Sequence, residues 1–177
     1  MDHSLIKHYK NVVPNAAADW IMATLDESHD LVHRHEGPQN FYELNLNQHH
    51  PEVIGGLLPC LRDALNRYKR DVPETAWFPE QLALEEFRAK RYTGGTGEQF
   101  ADHVDVGNHV SAKRYLSFLF YLNDGFEGGE TVFLPDYTIT PEKGSVVVFP
   151  PLWLYPHRGC PVKTGTKYIM SSYLNYQ

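Results

Sequence analysis

The feature that most limits how this chain can fold is a run of short, strand-like segments filling its C-terminal half with no helical segment between them. Leu82 to Tyr92, Tyr115 to Asn123, Thr131 to Phe133, Ser145 to Phe149 and Lys167 to Tyr173 are rich in aromatic and β-branched residues and are separated by Gly, Pro and Asp. A parallel α/β sheet needs a crossover helix between successive strands, and the sequence supplies none. What remains is a sandwich or barrel with helices packed outside. A chain of 177 residues has room for one domain with a sizeable core. We therefore expect one mainly β domain with flanking α, in which residues 1–79 form a mostly helical support region and residues 80–177 form the β core.

Two helices are predicted in the support region. Asn15 is expected to cap the first, whose packed side carries Ala17, Trp20, Ile21, Thr24 and Leu25. The second runs from Cys60 to about Tyr68, with Leu61, Ala64, Leu65 and Tyr68 on one stripe and Pro59 in its first turn. Between them Gly37-Pro38 signals a turn and Phe41 to Leu46 a strand.

Alternation along Tyr115 to Leu122 separates two faces. Leu116, Phe118, Phe120 and Leu122 are uniformly apolar and read as core. Tyr115, Ser117, Leu119 and Tyr121 mix rings, methyls and hydroxyls, the composition of a pocket wall.

The net charge of −6 argues against a broad grip on a nucleic-acid backbone. Met1 to Lys10 is polar and no stretch approaches the roughly 20 apolar residues of a membrane span, so a cytoplasmic protein is expected. Cys60 and Cys160 are too few and too far apart for a disulfide framework or a cysteine metal site, and are expected to be reduced thiols.

His103-Val104-Asp105 sets an imidazole and a carboxylate on one side of extended backbone. With ten histidines in the chain, that triplet alone can arise by chance. His157, after the apolar run Val146 to Pro151 and the aromatic-rich Leu152 to Tyr155, is the best candidate for a third ligand. Two His and one Asp leave coordination positions open, as in the facial triad of non-haem iron(II) oxygenases. A closed zinc site would want a fourth protein ligand. Ten residues on, Lys167 shares a strand face with Ile169, Ser171 and Tyr173. It is either a surface lysine or a buried cation that wants an anionic partner.

Arg91 to Asp105, Tyr121-Leu122-Asn123, Gly128-Gly129-Glu130-Thr131, Pro141 to Pro150, His157 and Lys167 together resemble the prolyl 4-hydroxylase branch of the 2-oxoglutarate oxygenases. The resemblance covers roughly residues 80–177. It implies a double-stranded β-helix, a cupin-like jelly roll, with iron(II) at one mouth held by His103, Asp105 and His157 as metal and catalytic residues. It implies that Lys167 takes the distal carboxylate of 2-oxoglutarate, that the Tyr92 hydroxyl reaches the same group, and that Tyr121 and Ser117 line the pocket. Dioxygen is the second substrate and ascorbate a candidate reductant. The implied target is an unactivated C–H bond, foremost that of a prolyl residue in a peptide or protein. Lysyl residues, free amino acids, nucleobases and small metabolites are the alternatives, because a fold and a metal do not fix the substrate.

Arg158, Trp153, Asn108, His109 and Tyr137 are candidate substrate-facing residues. The Gly128 to Thr131 turn is read as structural, and Thr93 to Gly97 and Asp136 to Lys143 as mobile. His33, His35, His49 and His50 are read as surface histidines. Two other classes compete: a cupin-like metalloenzyme without 2-oxoglutarate, which gives Lys167 no role, and a non-catalytic recognition module, which gives the triad none.

Overall fold

The structure is a computed structural model that describes residues 3–177; the first two residues of the expected support region lie outside the described residues. The strands in chain order are β1 (Lys7–Tyr9), β2 (His33–His35), β3 (Gln39–Asn45), β4 (Ala83–Leu84), β5 (Arg88–Thr93), β6 (Gln99–His103) and β7 (Arg114–Tyr121). There follow β8 (Glu127–Gly128), β9 (Thr131–Phe133), β10 (Tyr137–Ile139), β11 (Val146–Phe149), β12 (His157–Gly159), β13 (Val162–Thr164) and β14 (Thr166–Asn175). The helices are α1 (Asn15–Glu27), the single turn α2 (Leu46–His49) and α3 (Ile54–Asp71).

Hydrogen bonding links the strands in the order β1-β11-β7-β14-β5-β3-β6-β12-β9-β10. Its pairs are antiparallel, and neighbours in space come from distant parts of the chain, so the sheet curls on itself. β3 turns the corner, pairing with β5 through Tyr42 to Asn45 and with β6 through Gln39 and Asn40. The result is the double-stranded β-helix expected, and residues 3–79 contribute β1, β2 and β3 to it besides their helices.

The two faces of β7 serve two cores, as its alternation required. Leu116, Phe118 and Phe120 join Val146, Val148 and Met170 against Ile21 and Leu25 of α1 and Leu57, Leu61 and Leu65 of α3. Inside the barrel Phe41, Tyr92, Tyr121, Phe133, Phe149 and Ile169 meet between the sheet halves. Tyr115 departs from its face, packing edge-on to Phe78 at 5.1 Å.

Several local expectations are corrected. Pro14, with φ −58° and ψ 140°, leads the chain into α1 with no side-chain cap, and Asn15 is the first helical residue. Ala18 heads the buried stripe with Ile21 and Leu25, which turns Trp20 outward, edge-on to His50 at 5.9 Å. α3 begins at Ile54 and holds Pro59 inside it. Burial of Leu57 and the lead-in turn Pro51–Val53 favour this longer helix over the one hydrogen bond that Pro59 cannot donate. Leu82 to Tyr92 divides into β4 and β5, because Phe87 gives its backbone N–H to Asn47 Oδ1 at 2.7 Å and its carbonyl to Leu46 at 3.0 Å.

Thr93 to Gly97 is fastened down: Gly94 N–H donates to Gly165 O at 2.8 Å and Gly95 N–H to Val162 O at 3.2 Å. The stretch from Asp136 to Lys143 contains β10, paired with β9. A Cβ on Gly94 would lie 2.7 Å from Gly165 O and 2.8 Å from the Thr164 backbone. Gly94→Ala is therefore expected to cost about 1–3 kcal/mol, measured by urea unfolding; an unchanged midpoint would show that the two turns separate freely.

Candidate metal centre and the pocket behind it

β6 ends on His103 and β12 begins on His157, and the two residues are register partners. Asp105 follows β6 by two residues. One donor atom from each of the three lies within 4.8 Å of the others, and this is the group among the described residues that could hold a metal ion. His103 Nε2 is 3.5 Å and His157 Nε2 is 3.9 Å from Asp105 Oδ1.

The far side of each ring fixes its tautomer. His103 Nδ1 lies 2.8 Å from Ala101 O and His157 Nδ1 lies 3.1 Å from Tyr155 O. A carbonyl only accepts, so each Nδ1 carries a proton and each Nε2 is the ring nitrogen left facing Asp105. Asp105 is steadied by the Tyr173 hydroxyl, which donates to Oδ1 at 3.2 Å, and by Arg114, which donates to its main-chain carbonyl at 3.0 Å. Glu85 in turn grips the Arg114 fork at 2.9 and 2.8 Å. Ligand-orienting contacts of this kind tune a metal site.

Burial by itself would raise the Asp105 carboxyl, but His157 and His103 beside it hold it well below the usual carboxylate range. Burial pushes the His157 imidazole down, with Asp105 opposing. One carboxylate and two imidazoles, with no fourth protein donor among the described residues, suit a divalent ion that keeps open positions, as iron(II) does in this ligand set.

Behind the triad lies a narrow pocket. Lys167, Ile169, Ser171 and Tyr173 all line it, the strand face read from alternation. Leu119, Phe149 and Ile169 supply apolar wall, and Tyr92 and Ser117 add hydroxyls. Lys167 is 3% exposed and its Nζ donates to Gly129 O at 2.5 Å. The Tyr92 and Tyr121 rings flank the ammonium at 5.5 and 5.7 Å. Burial pulls the lysine down to about 8, against the opposing pull of Cys160 and Glu130. The Gly128 to Thr131 turn thus does more than turn the chain, since its carbonyl aims Lys167. Tyr121 sits behind this layer and spends its hydroxyl on Thr131 Oγ1 at 2.7 Å.

The five candidate substrate-facing residues lie outside this lining. Trp153 and His109 are exposed. Asn108 Oδ1 accepts from Ser111 N–H at 3.2 Å within its own loop. Arg158 pairs with Asp102 at 3.3 Å, and Tyr137 stacks on His3 at 4.4 Å. Sequence reasoning missed Lys90, Phe100 and Thr131, which do line the pocket. Lys90 had a signal: it stands two residues before Tyr92, on the same face of β5.

Residues 87–175 match the family described as the 2OG-Fe(II) oxygenase superfamily. Probable prolyl 4-hydroxylase 9 of Arabidopsis thaliana is 29% identical over 145 residues, which cover 64% of this chain and 48% of that protein. The chain thus spans about half the length of that relative. A viral collagen prolyl hydroxylase from Paramecium Bursaria Chlorella virus-1, in its 2OG complex, has a TM-score of 0.75 at 21% identity, covering 98% of this chain and 97% of that one. A prolyl hydroxylase from Trichoplax adhaerens, in complex with a peptide fragment of the hypoxia inducible factor oxygen degradation domain, gives 0.74 at 14% identity, covering 97% and 84%. No helix among the described residues is long and apolar enough to cross a membrane. Iron(II) and 2-oxoglutarate are implied both by the family match and by the donor set of His103, Asp105 and His157. On the span of that match, half of the sequence and the strands from β5 to β14, the chain belongs to the 2OG-Fe(II) oxygenase superfamily.

Proposed function

We propose that the protein is a hydroxylase of the prolyl 4-hydroxylase type, acting on a prolyl residue of a peptide or protein. The observation that carries this reading is one buried cavity with a divalent-metal donor set on one wall and, on another, an ammonium held by a neutral carbonyl. His103, Asp105 and His157 would hold iron(II). Lys167 and Tyr92 would take the distal carboxylate of 2-oxoglutarate, a charge-assisted contact that a buried cation favours. Ser117 would line the same end, with Tyr121 backing it. Leu119, Phe149 and Ile169 keep the cavity apolar and limit water. Iron, 2-oxoglutarate and dioxygen, when bound, supply oxidative decarboxylation to succinate and carbon dioxide coupled to hydroxylation of a C–H bond. A prolyl target in a polypeptide is supported by the Arabidopsis relative and by the viral and Trichoplax enzymes, whose names give proline as their target.

The test follows succinate formation from 2-oxoglutarate by purified protein with iron(II), ascorbate as the proposed reductant, and then a proline-rich peptide library. A mass gain of one oxygen on a prolyl residue is the expected product. Absence of turnover together with absence of an iron–2-oxoglutarate absorption band would sink the reading.

A pH dependence follows from Lys167, which must be charged to grip a carboxylate. With the free lysine at about 8, the KM for 2-oxoglutarate should be flat below that pH and rise roughly tenfold per unit above it. A KM still flat at about pH 9 would refute the assignment.

A further inference from the structure

Lys90 is a second lysine of the pocket, 7% exposed on the inner face of β5. Its Nζ donates to Ser171 Oγ at 2.7 Å. Glu43 Oε2 stands 3.8 Å away, beyond direct hydrogen bonding, and the other Glu43 oxygen accepts from Arg88 at 2.9 Å. The Phe41 and Phe100 rings lie 5.8 and 6.0 Å from the ammonium. An ammonium carries three N–H donors, of which Ser171 takes one, and the ion pair with Glu43 is shared with Arg88, so the buried charge is incompletely met. For the fold alone, an apolar side chain of similar volume would serve at least as well.

Its position gives the charge a use. Lys90 and Ser171 line both the inner pocket and the groove that leads out of it, together with His103, Asp105 and Tyr173. Lys167 pairs with Tyr92 and Ile169 with Lys90, so the two lysines face one cavity about 7 Å apart along the strands. 2-Oxoglutarate has one carboxylate for the metal and one for Lys167, and in the groove from which a primary substrate enters Lys90 and Arg88 share the single carboxylate of Glu43 beside the metal ligand Asp105.

We propose that Lys90, oriented by Ser171, is the anion anchor for the primary substrate, which therefore carries a carboxylate close to the carbon that is hydroxylated. This rests on the hydroxylase chemistry of the proposed function; it narrows the polypeptide target to a prolyl residue beside an acidic side chain, and a free imino or amino acid is the other source of the same carboxylate. Two matched pairs distinguish these sources: L-proline against L-prolinamide, and the end-blocked peptide Ala-Pro-Glu-Ala against Ala-Pro-Gln-Ala. Each is titrated by calorimetry into protein holding manganese(II) and 2-oxoglutarate without dioxygen, then assayed for stimulated succinate formation with iron(II).

In one pair the acid should bind on the order of tenfold to a hundredfold more tightly than its amide twin, the span of a charge-assisted hydrogen bond. Lys90→Met should erase that preference and Lys90→Arg should retain part of it. Should Lys90→Met fail to fold by circular dichroism, Ser171→Ala decides, with a several-fold narrowing expected. Acid and amide behaving alike in both pairs, with neither bound included, overturns the proposal, as does a preference that survives these substitutions. Substrate-free succinate formation and the iron–2-oxoglutarate band of the unaltered protein report on the proposed function separately. If they are present without an acid preference, the Lys90 assignment alone falls.

Discussion

Asp105→Ala is expected to abolish iron(II) binding and 2-oxoglutarate turnover while leaving the fold intact. Contacts that merely orient a metal ligand are worth about 10–100-fold in affinity, so loss of the one anionic ligand should exceed about a hundredfold. Calorimetric titration with iron(II) and a succinate assay check this, and retained micromolar-range binding would remove Asp105 from the site. The metal-free protein should register the change as well. The folded Asp105 carboxyl is held below its ordinary range, so it contributes stability above its unfolded pKa and loses that contribution as pH falls. The alanine variant should therefore be the less stable protein near neutrality, with the deficit shrinking below about pH 4. A deficit that grows in acid would mean the carboxyl is protonated in the folded protein.

Lys167→Ala should weaken 2-oxoglutarate by about a hundredfold or more while sparing iron(II), since the ammonium faces the cavity opposite the triad. Lys167→Arg should recover part of the loss, and unchanged affinity in the alanine variant would refute the role. Stability should move in the other sense. A base whose folded pKa is lowered is a cost to the fold below that value, relieved as pH climbs from about 8 toward the ordinary 10.5. At pH 7 the alanine variant should unfold at a temperature close to that of the parent despite its cavity, and fall behind it as pH rises through that window. Thermal unfolding at the two ends of the window reads the difference.

What the sequence disclosed was the part governed by period. β7 sorted itself into a helix-facing and a pocket-facing side, and the face of β14 from Lys167 to Tyr173 lines the cavity as its alternation required. His103 and Asp105 share a side because extended backbone places alternate residues together. What stayed hidden was set by partners far along the chain. β8, β10 and β13 are three residues long or shorter and exist because other strands offer them hydrogen bonds. Trp20 looked like core until the neighbouring Ala18 took the contact with the sheet. Lys90 was overlooked for a different reason: a lysine between two arginine-bearing positions reads as a surface strand, and its burial follows from β3 and β6 closing over it.

The pairing of His103 with His157 carries a consequence for which metal the protein holds in a cell. Their side chains are brought together by the ladder between β6 and β12 and oriented by backbone carbonyls, contacts that the chain makes with itself. A chelator should therefore strip the site without melting the protein. A ready-made pair of imidazoles with a carboxylate also has no means of refusing copper, nickel or zinc, each of which outranks iron(II) in the stability series of divalent ions. Mismetallation is thus the standing hazard of this scaffold, and occupancy by iron is set by the supply of metals around it.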